Sequence, residues 1–416
     1  MLRVWLASGQ ELASLREEDL SDVRALKSHL RAAHGFPLCL QQLLQDGSML
    51  RDSGKIQEPG DIQLVLLPIS PETMSEVTFA ALEGHVATAR FLLRAGVDRD
   101  LKDAEGFTAL IRASAEGHAE LVRLLLEAGA EKNCVERATG KTALMRACAA
   151  GSLETVQLLL DAGAGVKFQD LDAMTALHHA CEGGHAEIAR LLLAADACKE
   201  VKGRYGMTAL ASASSRGHVD VVRLLLDAEP TNRLMKTHDC VLALRCASEN
   251  GHLDTVRWLL GADVHKSLKY CYGAMSAMIS AADKGHVDVV RLLLEASVDR
   301  QLQDQASQKE LRCYGDTALI NACHKGHLEV VRLLLDTGVD TDVRDCDDRT
   351  ALMHAAENGR ADIVRLLLKA GANRGLKSRY LNETAQSSAA ERGHDEIVEL
   401  LEATEGTSAT KSVISI

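Results

Sequence analysis

The chain has 416 residues and a formal net charge of −12 at neutral pH. This acidic balance argues against nucleic acid as a general partner, because binding to phosphates requires a basic surface. Hydrophobic residues make up 46% of the sequence but aromatic residues only 3%. The core must therefore consist of leucine, alanine and valine between closely spaced helices.

Cysteine usage and hydropathy indicate the cellular compartment of the protein. The eleven cysteines follow no pairing framework, which favours a reducing compartment, cytoplasmic or nuclear. Charged residues begin at Arg3, and no apolar run is long enough for a secretory signal or a membrane span. No membrane partner is expected.

The first segment with a clear pattern covers residues 2–66. Alternating apolar residues predict a strand at 2–6 and a returning strand at 11–15. A helix follows, with Ser21 as its N-cap candidate and Gly35 as its end. Residues 61–66 predict a final strand, so the order is strand, strand, helix, strands.

This order resembles the ubiquitin fold, a small α+β domain of the β-grasp type, over residues 1–68. The resemblance rests on the last strand and on the Leu-Leu-x-x-Gly-x-x-Leu-x-Asp stretch that begins at Leu43. It implies that Leu44 and Val65 match two members of ubiquitin's apolar recognition patch. The chain continues through Pro68 without a Gly-Gly end, so the resemblance implies a built-in docking domain and not a conjugated modifier.

Further along the chain, a glycine that histidine usually follows recurs at an almost constant interval. Successive marker glycines are 33 or 34 residues apart, except for one gap of 41 after Gly285. Such a period is typical of a stacked helical repeat, whose extended surface favours macromolecular binding over catalysis. The ten marker glycines are Gly84, Gly117, Gly151, Gly184, Gly217, Gly251, Gly285, Gly326, Gly359 and Gly393.

Each repeat predicts two short helices. A threonine nine residues before the marker glycine can cap the first helix, and the glycine fits the left-handed turn that ends it. An alanine followed by Ala, Ser or Cys occurs in all ten units, which predicts close contact between neighbouring first helices. The capping threonines are Thr108, Thr142, Thr175, Thr208, Thr317, Thr350 and Thr384.

These motifs resemble the ankyrin repeat over residues 72–403, through its Thr-Pro-Leu-His, Gly-His and Leu-Leu-Leu-x-x-Gly-Ala elements. This sequence lacks the proline, so the first element is Thr-Ala-Leu, and its histidine is retained only as His178. The resemblance implies a mostly α solenoid of ten helix-pair repeats that binds proteins through hairpin tips and a concave inner-helix face. Residues 404–416 are expected to form a flexible tail.

Candidate partner-binding residues lie in the segments between units. All five tyrosines occur there beside a group of basic residues, which suggests a docking surface for acidic proteins. The alternative is that hairpin residues are polar in any case and that the tyrosines pack between tips. The candidates are Lys199, Lys202, Arg204, Tyr205, Lys236, Lys266, Lys269, Tyr270, Tyr272 and Tyr314.

A second set of positions varies from unit to unit on the predicted concave face, immediately before the invariant alanine. Such variation fits either a tailored groove or free drift at exposed positions. The set comprises Arg112, Arg146, His179, Ser212, Cys246, Ser280, Asn321, His354 and Ser388.

No metal, cofactor or catalytic site is expected. Potential metal ligands cluster in one unit as His178, His179, Cys181 and His185. His178 and His185 nevertheless occupy ordinary repeat positions, and the cysteine faces a neighbouring helix, whereas zinc needs four converging ligands. No nucleophile-elbow, phosphate-loop or zincin motif is present. Arginines three residues after a carboxylate predict a solvated outer face.

Two places depart from the repeat. Between residues 227 and 251, Glu229-Pro230 replaces Gly-Ala and Leu242 replaces the capping threonine, which predicts a weak joint. The longer gap adds polar residues around 303–311, which predict an extended loop.

The sequence favours a non-catalytic scaffold for protein–protein interaction. One alternative is an adaptor in the ubiquitin–proteasome system that docks through the N-terminal domain. A second is a regulatory subunit of an enzyme that another chain supplies.

Overall fold

The computed structural model describes residues 2–15, 22–52, 61–68, 76–227, 233–261, 272–301, 317–379 and 382–403. The chain divides into two compact units, Met1–Gly206 and Met207–Ile416. Within the described ranges, the first unit contains a small mixed sheet with one helix, followed by four helix pairs, and the second contains six helix pairs. The mostly helical architecture agrees with the predicted helix-pair repeats.

Five strands form the N-terminal sheet: β1 Leu2–Leu6, β2 Glu11–Leu15, β3 Gln41–Gln45, β4 Ser48–Met49 and β5 Asp61–Leu66. Their order across the sheet is β2-β1-β5-β3-β4. The central strands β1 and β5 are parallel, and the other neighbours are antiparallel.

One helix, α1 (Val23–His34), covers the sheet. Leu26 and Leu30 are fully buried with Ile62 and Leu64 of β5, because every second residue of a strand points to the same face. The other face of β5 carries Val65 and is left partly exposed.

The predicted start of α1 was wrong by one residue. The Asp22 carboxylate accepts a hydrogen bond from the backbone N–H of Ala25 at 2.8 Å, so Asp22 and not Ser21 is the N-cap. Aspartate and serine are about equally good caps, so residue type alone could not separate them. The predicted end is confirmed, since Gly35 has a φ of +76° and donates to the carbonyl of Arg31.

The helix pairs of the first unit each consist of an inner and an outer helix. The inner helices are α2 Glu76–Leu82, α4 Ala109–Glu116, α6 Ala143–Ala150 and α8 Ala176–Glu182. The outer helices are α3 Val86–Arg94, α5 Ala119–Glu127, α7 Leu153–Asp161 and α9 Ala186–Ala194.

Small residues allow neighbouring inner helices to pack closely, as predicted. Ala113 and Ser114 of α4 are fully buried, as are Ala147 and Cys148 of α6, and α4 packs against both α2 and α6. Burial raises the pKa of the Cys148 and Cys181 thiols. These thiols stay protonated and serve as packing groups.

The threonine caps are confirmed at five of the seven predicted positions. The Thr108 hydroxyl accepts a hydrogen bond from the backbone N–H of Ile111 at 3.3 Å. The same cap begins later inner helices at Thr142, Thr208, Thr350 and Thr384. Each hydroxyl satisfies one N–H group that has no partner within the helix.

The second unit repeats the arrangement. Its inner helices are α10 Ala209–Ser215, α12 Arg233–Glu249, α14 Tyr272–Lys284, α16 at 317–325, α18 Ala351–Glu357 and α20 Ala385–Glu391. Its outer helices are α11 Val219–Asp227, α13 Leu253–Gly261, α15 Val287–Gln301, α17 Leu328–Asp336, α19 Ala361–Lys369 and α21 Asp395–Ala403.

Helices α12 and α14 begin earlier than the repeat predicts. A regular inner helix starts directly after its capping threonine, whereas α12 extends back to Arg233 and has 17 residues. Leu242 stands at the threonine position, so no side-chain cap sets the helix start there. The weak joint between 230 and 250 stays a prediction, but the described part of that stretch is one continuous helix.

The marker glycines leave space for the histidine of the next unit. A Cβ added to Gly84 would lie 2.8 Å from Cε1 of His118, and the His118 Nε2–H donates to the carbonyl oxygen of Leu82 at 3.1 Å. Each such bond satisfies a carbonyl at the end of an inner helix. In the second unit the same bond is made by His252, His286, His327 and His394.

We predict that Gly84→Ala destabilises the protein more than Gly96→Ala. Both glycines have positive φ, and a Cβ on Gly96 meets nothing within 4 Å. Gly96→Ala should therefore lower the free energy of unfolding only by the left-handed strain of about 1–2 kcal/mol. Gly84→Ala adds the clash with His118. Equal unfolding free energies in urea titrations of the two variants would contradict the contact.

Candidate partner-binding surface

Connecting loops carry the exposed tips of the first unit. In the loop between α7 and α8, Asp170 Oδ1 accepts hydrogen bonds from the backbone N–H groups of Asp172 and Met174 at 2.9 Å. This Asx-type turn presents the side chain of Leu171 at its apex.

Neighbouring tips are joined through the backbone. The N–H of Leu171 donates to the carbonyl of Thr139 in the preceding loop at 2.9 Å, and the N–H of Arg204 in the following loop donates to the carbonyl of Asp172 at 2.7 Å. Because three successive loops are linked in this way, their exposed side chains lie in one row. We call Arg137, Leu171, Lys202, Arg204 and Tyr205 the tip surface.

Two members of the tip surface are unusually exposed for their type. Leu171 is 74% exposed and Tyr205 is 86% exposed. Tyr205 also has a φ of +60°, in the left-handed region that residues other than glycine adopt at a cost of about 1–3 kcal/mol. Sequence reasoning identified Tyr205 but missed Leu171, although an apolar residue between two aspartates in a loop was the available signal.

The basic residues of the tips differ in their surroundings. Arg204 pairs with Asp172 at 2.8 Å and its guanidinium lies 5.1 Å from the centroid of the Tyr205 ring. Lys202 is exposed and Lys199 is half-buried. Arg204 therefore presents a partly neutralised charge, and Lys202 adds a cation beside Tyr205.

Two further predicted tip residues belong to helices of the second unit. Lys236 lies within α12 and Tyr272 is the first residue of α14, so the expectation of hairpin tips was wrong at both positions. At α12, Leu242 replaces the capping threonine, so no side-chain cap fixes the helix start at that position. Outside the described residues lie Lys266, Lys269, Tyr270, Tyr314 and the insertion at 303–311.

Leu44 and Val65 share the outer face of the N-terminal sheet. In the antiparallel pairing of β3 and β5, Leu44 lies opposite Gln63 and Val65 lies opposite Gln42, so the two apolar residues are diagonal neighbours. Both are half-buried. Met49 pairs with Leu44 across β3 and β4 and is largely exposed, which extends the apolar area.

Several of the variable inner-helix residues have internal partners. Arg112 donates to Asp103, and Arg146 donates to the buried Glu136. The His179 Nε2–H donates to Asp170 at 2.8 Å. The same link recurs in the second unit, where His354 donates to Asp345 at 2.7 Å. These side chains hold the inner helices to their preceding loops.

The potential metal ligands around His178 do not form a metal site in the described structure. His178 is buried, and its Nδ1 lies 2.9 Å from the Thr175 hydroxyl. No cluster of three His, Cys, Asp or Glu side chains that could hold a metal occurs in the described parts of the chain.

On the outer helices, Arg190, Arg332 and Arg365 pair with the carboxylate three residues earlier and are exposed. A solvated outer face is therefore confirmed there. No described helix has the length and apolar composition to span a membrane.

Buried His179 makes stability depend on pH. Its pKa is lowered from 6.5, first by burial and then by the charge of Lys141, while the bond to Asp170 acts in the opposite direction. As the pH falls, the unfolded chain therefore takes up this proton before the folded protein does. The stabilisation of the folded protein that depends on neutral His179 is complete above about pH 6.5 and is lost as the pH falls below it.

We predict that His179→Gln reduces the drop in melting temperature between about pH 7.5 and pH 5.5. Glutamine does not titrate and keeps an N–H donor for Asp170. The pKa values of His85 and His324 are also lowered, so part of the drop in melting temperature should remain. A variant with the full wild-type drop would show that His179 contributes nothing to it.

Comparison with known families agrees with the helix-pair architecture. The family described as ankyrin repeats (3 copies) matches residues 77–170, 162–236, 243–345, 298–378 and 339–411. The N-terminal sheet lies outside these matches. No curated protein matches the chain. Because the matched residues make up far more than half of the sequence, the chain belongs to the ankyrin-repeat family.

Proposed function

We propose that this protein is a non-catalytic scaffold that binds partner proteins mainly through the tip surface of its first unit. Ankyrin repeats indicate a protein–protein interaction module. The finer assignment rests on the loops, because the inner-helix residues Arg112, Arg146 and His179 are engaged within the protein. Free thiols at all nine described cysteines are compatible with a reducing, cytoplasmic location.

One observation carries this proposal. Tyr205 combines high exposure with a left-handed backbone conformation, so the fold gains little from it while bearing its strain. Tyrosine is enriched where proteins bind one another, since its ring offers a large contact at low entropic cost. Leu171 on the linked loop adds an exposed apolar contact.

The charges favour an acidic partner. Lys199, Lys202 and Arg204 lie on the same loop as Tyr205, and Glu200 and Asp172 offset part of their charge. A partner with carboxylates around an apolar side chain would complement this surface. Such binding should weaken as the salt concentration rises, because exposed charges are screened.

We predict that Tyr205→Gly reduces partner binding without lowering the melting temperature. Relief of the left-handed strain, about 1 kcal/mol, offsets the greater flexibility of glycine in the unfolded chain. Ala173→Gly is the matched control, since Ala173 has a φ of +57° in the neighbouring loop but contributes no ring.

The measurement is affinity capture with the full chain as bait, followed by quantitative mass spectrometry. Proteins retained by the wild type and by the Ala173→Gly variant should be lost with Tyr205→Gly. If all three baits retain the same proteins in equal amounts, the tip surface is not the binding site.

We propose as a second function that the N-terminal domain is a ubiquitin-like docking domain. The strand order β2-β1-β5-β3-β4 with one covering helix supports a β-grasp fold. The diagonal placement of Leu44 and Val65 on the uncovered face supports a recognition patch. These features together would make the protein an adaptor between an ankyrin-bound client and the ubiquitin–proteasome machinery.

We predict that the double variant Leu44→Ser, Val65→Ser loses binding to purified proteasomes. Both side chains lie on the face away from the core, so the fold should tolerate the change. Gln63→Ser, on the same face of β5, is the control and should bind like wild type. Absence of proteasome binding by the wild-type chain in biolayer interferometry would refute this second function alone.

A further inference from the structure

The N-terminal domain and the first helix pair share a packed seam. Phe36, directly after α1, meets Phe91 of α3 edge to face, with ring centroids 5.5 Å apart. Phe91 also packs against the core of the sheet domain. This contact joins the two cores within the first unit.

Gly35 permits the close approach at this seam. An added Cβ would overlap the backbone carbonyl of Ala87 in α3. Backbone atoms cannot move aside as a flexible side chain can, so any larger residue would push the sheet domain away from α3.

Arg31 of α1 lies in this seam and is 8% exposed. Its guanidinium is 5.2 Å from the centroid of the Phe79 ring. Two of its nitrogens, Nε and Nη2, are buried without a hydrogen-bond partner. Buried N–H groups of a cation are costly when they have no acceptor, so these two nitrogens call for a ligand.

The unused edge of Arg31 is the one that binds carboxylates elsewhere in this chain. Arg112 donates through Nε and Nη2 to Asp103 at 2.9 and 2.8 Å. Arg146 donates through the same two atoms to Glu136 at 2.9 and 2.7 Å. A planar carboxylate is therefore the acceptor that fits this edge.

The charges near Arg31 affect the pKa values of its neighbours. Burial, and then the charge of Glu76 in α2, raise the pKa of the Cys39 thiol to about 12, while the charge of Arg31 acts in the opposite sense. Burial lowers the pKa of His85, the positive charge of Arg31 adds to this lowering, and Glu83 acts in the opposite sense. None of the ion pairs among the described residues includes Arg31.

Phe79 provides the apolar half of a binding site. It stands at the variable inner-helix position, directly before the invariant Ala80. The next three units have Arg112, Arg146 and His179 at this position. Phe79 is 44% exposed, so its ring can contact a ligand and can move to admit one beside Arg31.

We propose that Arg31 and Phe79 together form a binding site for a carboxylate of an acidic segment in a partner protein. The Nε and Nη2 groups of Arg31 donate two hydrogen bonds to the carboxylate, and the Phe79 ring contacts the apolar part of the same segment. The site is composite, since one residue comes from the sheet domain and the other from the first helix pair. This proposal rests on the proposed scaffold function and extends that function to the variable position of the inner helices.

The test follows the Nε–H resonance of Arg31 by NMR in the full chain, labelled with 15N-arginine. The probe is N-acetylglutamate α-amide, and N-acetylglutamine α-amide is its uncharged counterpart. We expect the glutamate probe to shift the resonance to saturation and the glutamine probe to leave it unchanged. Inorganic phosphate should bind more weakly than the glutamate probe, because it has no apolar part to contact the Phe79 ring.

Two glycine variants examine the composite nature of the site. Gly47 has a φ of +74°, close to the +76° of Gly35, but an added Cβ there meets nothing within 4 Å. Gly35→Ala and Gly47→Ala therefore introduce similar backbone strain into the same domain, and only the first disturbs the seam. The glutamate-induced shift should disappear in Gly35→Ala and persist in Gly47→Ala.

The melting temperature of the Arg31→Met variant distinguishes a ligand-binding arginine from one that only stabilises the fold. Removing a buried cation that has no partner should raise the melting temperature, whereas removing one arm of an internal ion pair would lower it. A lower melting temperature, equal shifts with both amide probes, or tighter binding of phosphate would each overturn the proposal. Loss of capture by Tyr205→Gly with no response of Arg31 to the glutamate probe would leave the scaffold function standing and reject the seam site.

Discussion

The contact between a marker glycine and the histidine of the next unit holds inner helices to their neighbours within both units. The histidine Nε2–H satisfies a carbonyl at the end of the preceding inner helix, as His118 does for Leu82 and His394 does for Glu357. A side chain at the glycine would occupy the space of the imidazole ring. One contact thus combines a helix cap, a left-handed turn and a fixed distance between units. Arg360, which replaces one of these histidines, donates to the carbonyl oxygen of Lys325.

Stacking of the units and the proposed recognition surface depend on different side chains. Stacking depends on the glycines, on the small residues of the inner helices and on the Arg–carboxylate and His–carboxylate links to the loops. The loop apices contribute mainly backbone hydrogen bonds, such as those of Leu171 and Arg204. The side chains of Leu171 and Tyr205 are largely exposed and contribute little to packing. Recognition at such sites can change without loss of the array.

Local signals predicted much of the fold. The threonine caps, the left-handed glycines and the paired small residues depend on contacts within one unit or on a position repeated in every unit, so a single sequence displays them. The helix cap at Asp22 and the early starts of α12 and α14 were not foreseen. In the first case two neighbouring residues were equally good caps. In the second, Leu242 takes the place of the capping threonine, and α12 extends back through that position to Arg233.

The order of amino acids alone specified the ankyrin units, the strand–helix order of the first domain and the basic, tyrosine-bearing loop at residues 199–205. Only the tertiary structure showed that Arg112, Arg146 and His179 are held by acidic residues nine or ten positions earlier, that Leu171 joins Tyr205, and that Arg31 meets Phe79. The physical reason is distance along the chain. Caps and turns form between residues a few positions apart, whereas burial, exposure and the pairing of charges depend on which surfaces the packed units bring together.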